Sequence, residues 1–432
     1  CRPASKAGIC IIVLVKRFLA PGVFRGLLSF IMFDLGIMEC KFVFVVCGAK
    51  EHIDTLHFSL RRLKLFSARE ILVVTDTSRN EIPVSSHHVI DVKTPAHFDH
   101  HQASIYLKTS LYRILPVGPL YCYLDTDVIA VSNEVDDIFN HKTGVITFAP
   151  DHSRMHQFSP YAVNCGCLIQ NKKEWSELTA MLNKYGQTPE IADKRLQLKQ
   201  LQLKQRFELV KRRPFSLLYT AFNYAAPGTK MKFDNYAVYD KNERIWYDLE
   251  GNVILYDVPK HAIAQIESNT RWRWSRLKRR WISPGGEDIH DLSCQHLREK
   301  IESKFDVVID APHWQHWNGG VFLFDESSHV FMRLWHQRTM KIFKDPAWKT
   351  RDQGTLIATV WQLGLQNTPM LSKKFNFIAD PSNPRLMLSD DAQYITDDAF
   401  ETRHKPAFMH IFNQFGNANW WVWQWILERT KL

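Results

Sequence analysis

Two aspartates one residue apart, Asp125 and Asp127, follow the apolar run Leu120–Leu124. In an extended chain residues i and i+2 point to the same side, so both carboxylates are expected to project together from the end of a buried strand. Buried acids without partners are costly. Oxygen ligands of this kind suit a hard divalent cation such as Mn²⁺ or Mg²⁺. An Asp-x-Asp by itself is also ordinary turn material. Its setting is more specific: Pro119 lies before the strand, the apolar run 128–131 after it, and then Asp136, Asp137, Ile138 and Phe139.

The elements that must position these residues are legible from patterning. The run 42–47 is a continuous apolar strand followed by Gly48 and a helical segment expected over about 52–65. The run 71–75 is a second buried strand, ending in Asp76, and 89–92 a third. A helix over about 102–115 carries Lys108 into the Asp-x-Asp strand. Apolar strands alternating with helices predict a parallel α/β sheet, and ligands of such sheets bind beyond the carboxyl ends of the strands. Gly48, Asp76 and Asp125 all sit at such ends. Neither a P-loop nor Gly-x-Gly-x-x-Gly follows the first strand, which removes the usual NTPase and dinucleotide fingerprints. A further strand is expected over 144–149. The segments 161–169 and 316–324 both read as strands, the second running from Asn318-Gly319-Gly320 into an apolar stretch.

With 432 residues, 45% hydrophobic and 23% charged, the chain is globular in composition. Its net charge of +10 suits anionic ligands or surfaces without choosing among them. Eight cysteines are scattered without repeated spacing, and Cys165 and Cys167 are too close in a strand-like run to bridge. This usage reads as a reducing compartment and buried thiols. Residues 1–37 contain two short apolar runs interrupted by basic residues, each below the ~18 residues needed to span a bilayer. Met38 is expected to be the natural start, with a signal anchor as the second reading.

The Asp-x-Asp strand and its acidic Ile-Phe sequel resemble the corresponding region of glycosyltransferase family 8. The resemblance covers roughly 42–150 and 312–420. It implies the GT-A nucleotide-diphospho-sugar transferase fold, a Rossmann-like, mainly parallel sheet flanked by helices, here with a large α+β insertion. It implies a donor nucleotide sugar, with a UDP-sugar first choice, held around Cys47, Gly48, Asp76, Lys108, Asp125, Thr126 and Asp127, with Ser59 on the first helix. It implies Mn²⁺ (or Mg²⁺) bound by Asp125, Asp127 and His410, a donor sugar lined by Asn318, Asp352 and Gln353, and transfer with retention. Asp352 or Gln353 is the candidate neighbour of the reacting carbon. The chain departs from the family after His410: Gly416 comes late and no Lys-Pro-Trp follows, so the diphosphate contacts carried there in the family have no counterpart.

The expected organisation is an extension over 1–37, a first core part over 38–185 for nucleotide and metal, an insertion over 186–304 facing the acceptor, and a second core part over 305–432. Within the insertion, 186–213 is a basic amphipathic stretch with a tandem repeat of five residues, which gives a second reading of peripheral membrane contact. Residues 229–258 alternate as a β-meander. The segment 271–281 interleaves tryptophans with Arg271, Arg273, Arg279 and Arg280, which suits an acceptor surface or equally a tryptophan-anchored face with solvated arginines. The acceptor is expected to be a glycan, a lipid-linked glycan or a protein, and the location cytoplasmic or at a membrane surface. A catalytically silent carbohydrate- or nucleotide-binding protein on the same fold is the alternative. Nucleic acid is not an expected partner, because no nucleic-acid-binding module is present.

Overall fold

The computed structural model describes residues 38–429 apart from 86–87, most of 185–229, 234–236, 244, 257–259, 278–279, 284–293, 384–385, 390 and 398–401. The expectations for 1–37, for most of the basic stretch 186–213 and for Arg279 therefore lie outside the described residues.

A six-stranded sheet forms the centre, in the order β3 (His88–Asp91), β2 (Ile71–Thr75), β1 (Cys40–Val45), β4 (Leu120–Leu124), β13 (Trp317–Phe324), β6 (Thr147–Pro150). The first four are parallel, and β13 runs antiparallel to both its neighbours. The predicted mainly parallel α/β architecture is what forms. Its cause is visible in β1 and β4. Phe42, Phe44, Cys122 and Leu124 enter one buried cluster with the helix α1 (Lys50–Phe66). Val43, Val45, Tyr121 and Tyr123 enter a second cluster on the opposite face. Both faces are covered, so both sets of alternating side chains are apolar.

That second face is covered by α2 (His100–Thr109), α8 (His329–Ile342) and α9 (Gln353–Gln362). The helix expected over 102–115 begins at His100 and breaks after Thr109, with a short α3 (Leu111–Ile114) beyond Ser110. Aromatic rings fill the interior here: Phe148 stacks on Trp317 and Phe322, and Tyr123 on Phe322.

After the two aspartates the chain leaves the main sheet. The strand β5 (Val128–Ala130) joins β15 (Phe408–Ile411) and β14 (Phe377–Ala379) in a separate three-stranded sheet, with β15 antiparallel to β5 and parallel to β14. His410 pairs in register with Val128, which sets the end of the chain beside the Asp-x-Asp turn.

The segment 161–169 is not a strand, contrary to expectation. Residues Met155–Ala162 form α4 and Cys167–Lys184 form α5, with Gly166 between them at φ 75°. That left-handed turn suits glycine and breaks the alternation that suggested a strand. The Asn164 amide instead bonds the Pro346 carbonyl, and its backbone N–H donates to Ala347. The predicted meander is present as β7 (Lys230–Phe233), β8 (Ala237–Asp240), β9 (Ile245–Tyr247) and β10 (Val253–Tyr256), an antiparallel sheet. After α6 (Lys260–Asn269) comes the hairpin of β11 (Arg273–Ser275) and β12 (Arg280–Ile282). Trp272 and Trp281 are each 1% exposed and pack with Leu178, Leu182, Ala262 and Ile266. Those two rings belong to a core shared with α5 and α6 and are closed to stacking on a ligand. Arg273 bonds the carbonyls of Glu267, Thr270 and Trp272. No helix among the described residues is long and apolar enough to cross a membrane.

Candidate active site

Asp125 lies just past β4 and Asp127 just before β5, and the chain turns at Thr126 and Asp127. The i, i+2 strand geometry expected for the pair is corrected here. A turn closed by the Val128 N–H to the Asp125 carbonyl (3.1 Å) brings the carboxylates together, because the chain must pivot from one sheet to another. The turn is pinned on three sides. Asp125 N–H donates to the Gly320 carbonyl (2.8 Å), Ile411 N–H to the Asp127 carbonyl (3.1 Å), and the Ser59 hydroxyl to the Thr126 carbonyl (2.6 Å). Carboxylate oxygens of Asp125 and Asp127 and an imidazole nitrogen of His410 all lie within 4.8 Å of one another.

Lys108 is positioned by the capping box at the start of α2, where Asp99 and Gln102 exchange hydrogen bonds. Its ammonium lies 3.4 Å from Asp125 and 3.0 Å from Asp352. Burial alone would lower the Lys108 pKa, but the two carboxylates outweigh it and hold it well above its ordinary value. Asp352 stands at the N-terminus of α9. Burial pushes its carboxyl upward, and the Lys108 charge overrides that and keeps it ionised. The Tyr123 hydroxyl donates to Asp125 at 2.5 Å.

The hydrogen-bond donors and acceptors behind His410 have a fixed polarity. Asp151 is a buried carboxylate: burial raises its pKa, but His316, His152 and Asn318 more than reverse this and hold it below the usual range. A carboxylate only accepts, so Asn318 must present its NH₂ to it, at 2.9 Å. The Asn318 carbonyl oxygen then accepts from Gly320 N–H (2.9 Å) and from the Asn376 NH₂ (3.1 Å). Asn376 is left with its oxygen 3.0 Å from His410 Nδ1, so Nδ1 carries the proton and Nε2 is the free nitrogen. That Nε2 faces Asp127 at 3.3 Å. With no metal bound, burial lowers and Asp127 raises the His410 pKa, with a net increase. Two carboxylates and one imidazole whose lone pair is aimed at them make an oxygen-rich, borderline donor set. It fits Mn²⁺ or Mg²⁺, and the Asn376 carbonyl oxygen behind the imidazole takes the place of the carboxylate or backbone carbonyl that usually orients a metal-bound histidine.

Glycine is required at 320 for space. A Cβ there would sit 2.6 Å from His410 Cε1 and 2.9 Å from both Asn318 Oδ1 and Asp125 Oδ2. The register irregularity of β13 against β6 falls in this same stretch, between Asn318 and Phe322. Gln353 accepts from Gly319 N–H at 3.0 Å and donates to the Trp317 carbonyl and to His316 Nδ1. Its amide is thus occupied in holding β13.

Of the residues singled out from sequence, Lys108, Asp125, Asp127, Asn318, Asp352, Gln353 and His410 are brought into one constellation, and Thr126 lies within its turn. Cys47, Gly48 and Asp76 lie instead at the ends of β1 and β2. Gly48, at φ 103°, lies against the His100 ring and donates to Asn80 Oδ1 (3.1 Å). Cys47 is buried, and its carbonyl accepts from the Ser104 hydroxyl. Asp76 is 1% exposed and accepts from the backbone N–H and hydroxyl of both Ser78 and Thr94. Burial works against its ionisation, but these bonds and Lys93 hold its carboxyl below the usual range. Asp76 therefore organises the loop after β2. Sequence reasoning missed Tyr123, Asp151, His316 and Asn376. Tyr123 alone carried a signal, being two residues before Asp125 on the same strand face.

No protein-family model and no curated protein sequence matches the chain. Among solved structures it is similar to the galactosyltransferase LgtC in complex with donor and acceptor sugar analogues (TM-score 0.38, 11% identity, 91% of this chain and 97% of that one). It is also similar to the mouse xyloside xylosyltransferase 1 apo form (TM-score 0.34, 11% identity, 88% and 98%). A third is the apo bifunctional glycosyltransferase WbbM (TM-score 0.37, 9% identity, 91% of this chain), of whose length this chain spans about half, 49%.

Proposed function

We propose that this chain is a metal-dependent glycosyltransferase that moves a sugar from a nucleotide-diphosphate donor, a UDP-sugar first, to a glycan, lipid-linked or protein acceptor. The observation that carries this reading is the convergence of Asp125, Asp127 and a His410 of fixed tautomer beyond the carboxyl end of a parallel strand. Asp125, Asp127 and His410 Nε2 would hold Mn²⁺ or Mg²⁺, and the bound ion supplies charge stabilisation for the departing diphosphate.

The other roles belong to the chain's own groups. Lys108, buried and charged, adds a second fixed cation at the edge where negative charge accumulates. It also keeps Asp352 ionised, so that carboxylate is available to accept sugar hydroxyls or to face positive charge developing at the reacting carbon. Asn318 holds the metal ligand in orientation through Asn376 and lines the same wall. Gln353 fixes β13 against α9, and so sets the distance between Asp352 and the metal turn. Retention follows from the family 8 resemblance of the motifs.

The test is nucleotide-sugar hydrolysis across UDP-, GDP- and CMP-sugars, with Mn²⁺ and with chelator. The expected result is metal-dependent release of one nucleotide, lost in Asp127→Asn. Nucleotide binding with no turnover for any donor or acceptor would favour the silent sugar-binding alternative. Activity that survives both chelator and Asp127→Asn would remove the metal role.

A further inference from the structure

A second cluster of soft ligands lies away from the Asp-x-Asp turn. Cys165, Cys167, Cys294 and His296 each offer one ligand atom, and the four atoms lie within 4.8 Å of one another. Cys165 Sγ is 3.7 Å from Cys294 Sγ, Cys167 Sγ is 3.4 Å from His296 Nδ1, and Cys294 Sγ is 3.2 Å from His296 Nδ1. A tetrahedral zinc with ordinary Zn–S and Zn–N bonds places sulfur atoms about 3.8 Å apart and sulfur about 3.5 Å from nitrogen. The observed spacings match that figure, whereas a disulfide holds its sulfurs at about 2.05 Å and all three cysteines are unbridged.

The local backbone is built for convergence. Gly166 takes φ 75° with open space around it, and the resulting turn swings Cys165 and Cys167 toward the same point. The Ser159 hydroxyl donates to Cys294 Sγ (3.2 Å) and itself accepts from Leu297 N–H (2.9 Å), the kind of outer hydrogen bond that orients a thiolate ligand. Cys294 N–H donates to the His156 carbonyl (3.1 Å), fixing that ligand to α4.

We infer that Cys165, Cys167, Cys294 and His296 form a structural zinc site of the Cys₃His type. Its four protein ligands leave no open position, which is the mark of a structural rather than a catalytic zinc. Its place in the chain explains its use. The first two ligands stand where the chain leaves α4, and the last two stand where it returns into α7 (His296–Phe305). The ion would clip together the two ends of the excursion that contains the meander and the tryptophan hairpin. Closing so long a loop removes much of the freedom of the unfolded chain. The inference is independent of the proposed sugar transfer.

The experiment is metal analysis of the full chain purified from zinc-replete medium without chelator. One zinc per chain is expected, released when the thiols are blocked with a mercurial and retained in Asp127→Asn. It should be lost in the double substitution Cys165→Ser, Cys167→Ser. Cobalt substitution of the wild-type chain should give thiolate-to-metal charge transfer and tetrahedral d–d bands, a readout that does not depend on any variant folding. Folded wild-type chain with no zinc and no such bands, or with a Cys165–Cys294 disulfide on non-reducing mass mapping, overturns the inference.

Discussion

Adding one methyl group at Gly320 should silence the site while leaving the fold in place. The backbone at 320 lies outside the left-handed region, so alanine is accepted conformationally and only space is at issue. The new Cβ would lie 2.6 Å from His410 Cε1 and 2.9 Å from Asp125 Oδ2 and Asn318 Oδ1. Ordinary van der Waals contact begins near 3.5 Å, so these groups must retreat by roughly 0.5–1 Å. Asp125 is held by Tyr123 and Lys108, and His410 by Asn376, so the movement breaks hydrogen bonds as well as displacing two of the three metal ligands. Overpacking of this kind costs about 1–3 kcal/mol of stability. Misplacing metal ligands or their supports costs about 10- to 100-fold in metal affinity, and a 1 Å error at reacting groups about 100-fold in turnover. Mn²⁺ titration by water-proton relaxation, donor hydrolysis rates and circular dichroism would be measured on Gly320→Ala and Gly319→Ala. The Gly319 variant is the comparison, because its Cβ meets the Gln353 carboxamide oxygen (3.0 Å), the Lys108 ammonium (3.4 Å) and Asp352 Oδ2 (3.8 Å) but none of the three metal ligands, and should keep its metal. Wild-type Mn²⁺ affinity and turnover in Gly320→Ala would refute the arrangement of ligands described above.

Three further outcomes are expected. Lys108→Met leaves Asp125 and Asp352 facing one another in a part-buried site, and chemical denaturation should show a loss of about 1–3 kcal/mol; Lys108→Met combined with Asp352→Asn should recover part of it, whereas equal stabilities in the two would discount the ion pair. Asn376→Leu removes the acceptor that fixes the His410 tautomer and should weaken Mn²⁺ binding about 10- to 100-fold with secondary structure unchanged; unaltered affinity would dissolve the Asp151–Asn318–Asn376–His410 chain as a device. His336 is 7% exposed and hydrogen-bonded with Thr109, and burial, aided by the Arg113 charge, lowers its pKa to about 4. The unfolded chain takes up this proton below pH ~6.5 while the folded one does not until about 4, so stability falls as pH drops through that window, by up to about 1.4 kcal/mol per pH unit. The fall should be shallower in His336→Gln, as read from urea midpoints across the window, and identical slopes would exclude the linkage.

The sequence by itself determined the parallel strands of the central sheet. Phe42 to Cys47 and Leu120 to Leu124 are apolar at every second position on both faces, which only a strand covered on both sides requires. It also pointed to which acids and which histidine to suspect: Asp125 and Asp127 follow an apolar strand, and His410 stands where the resemblance to family 8 implies a metal ligand. Tertiary structure alone decided how they meet. The Asp-x-Asp pair converges through a turn between two sheets, a pivot that local patterning cannot distinguish from a strand running on. Asn376 and Asp151 have ordinary polar neighbours along the chain and gain their role only across β13 and β15. Trp272 and Trp281 read equally as ligand platforms or core, and burial against α5 and α6 settled the choice. Cys165-Gly166-Cys167 looked like part of a strand, and its partners Cys294 and His296 are more than a hundred residues away. Contacts at that separation depend on how elements pack, which periodicity along the chain does not encode, and the acids, amides and thiols of this protein acquire their chemistry through such contacts.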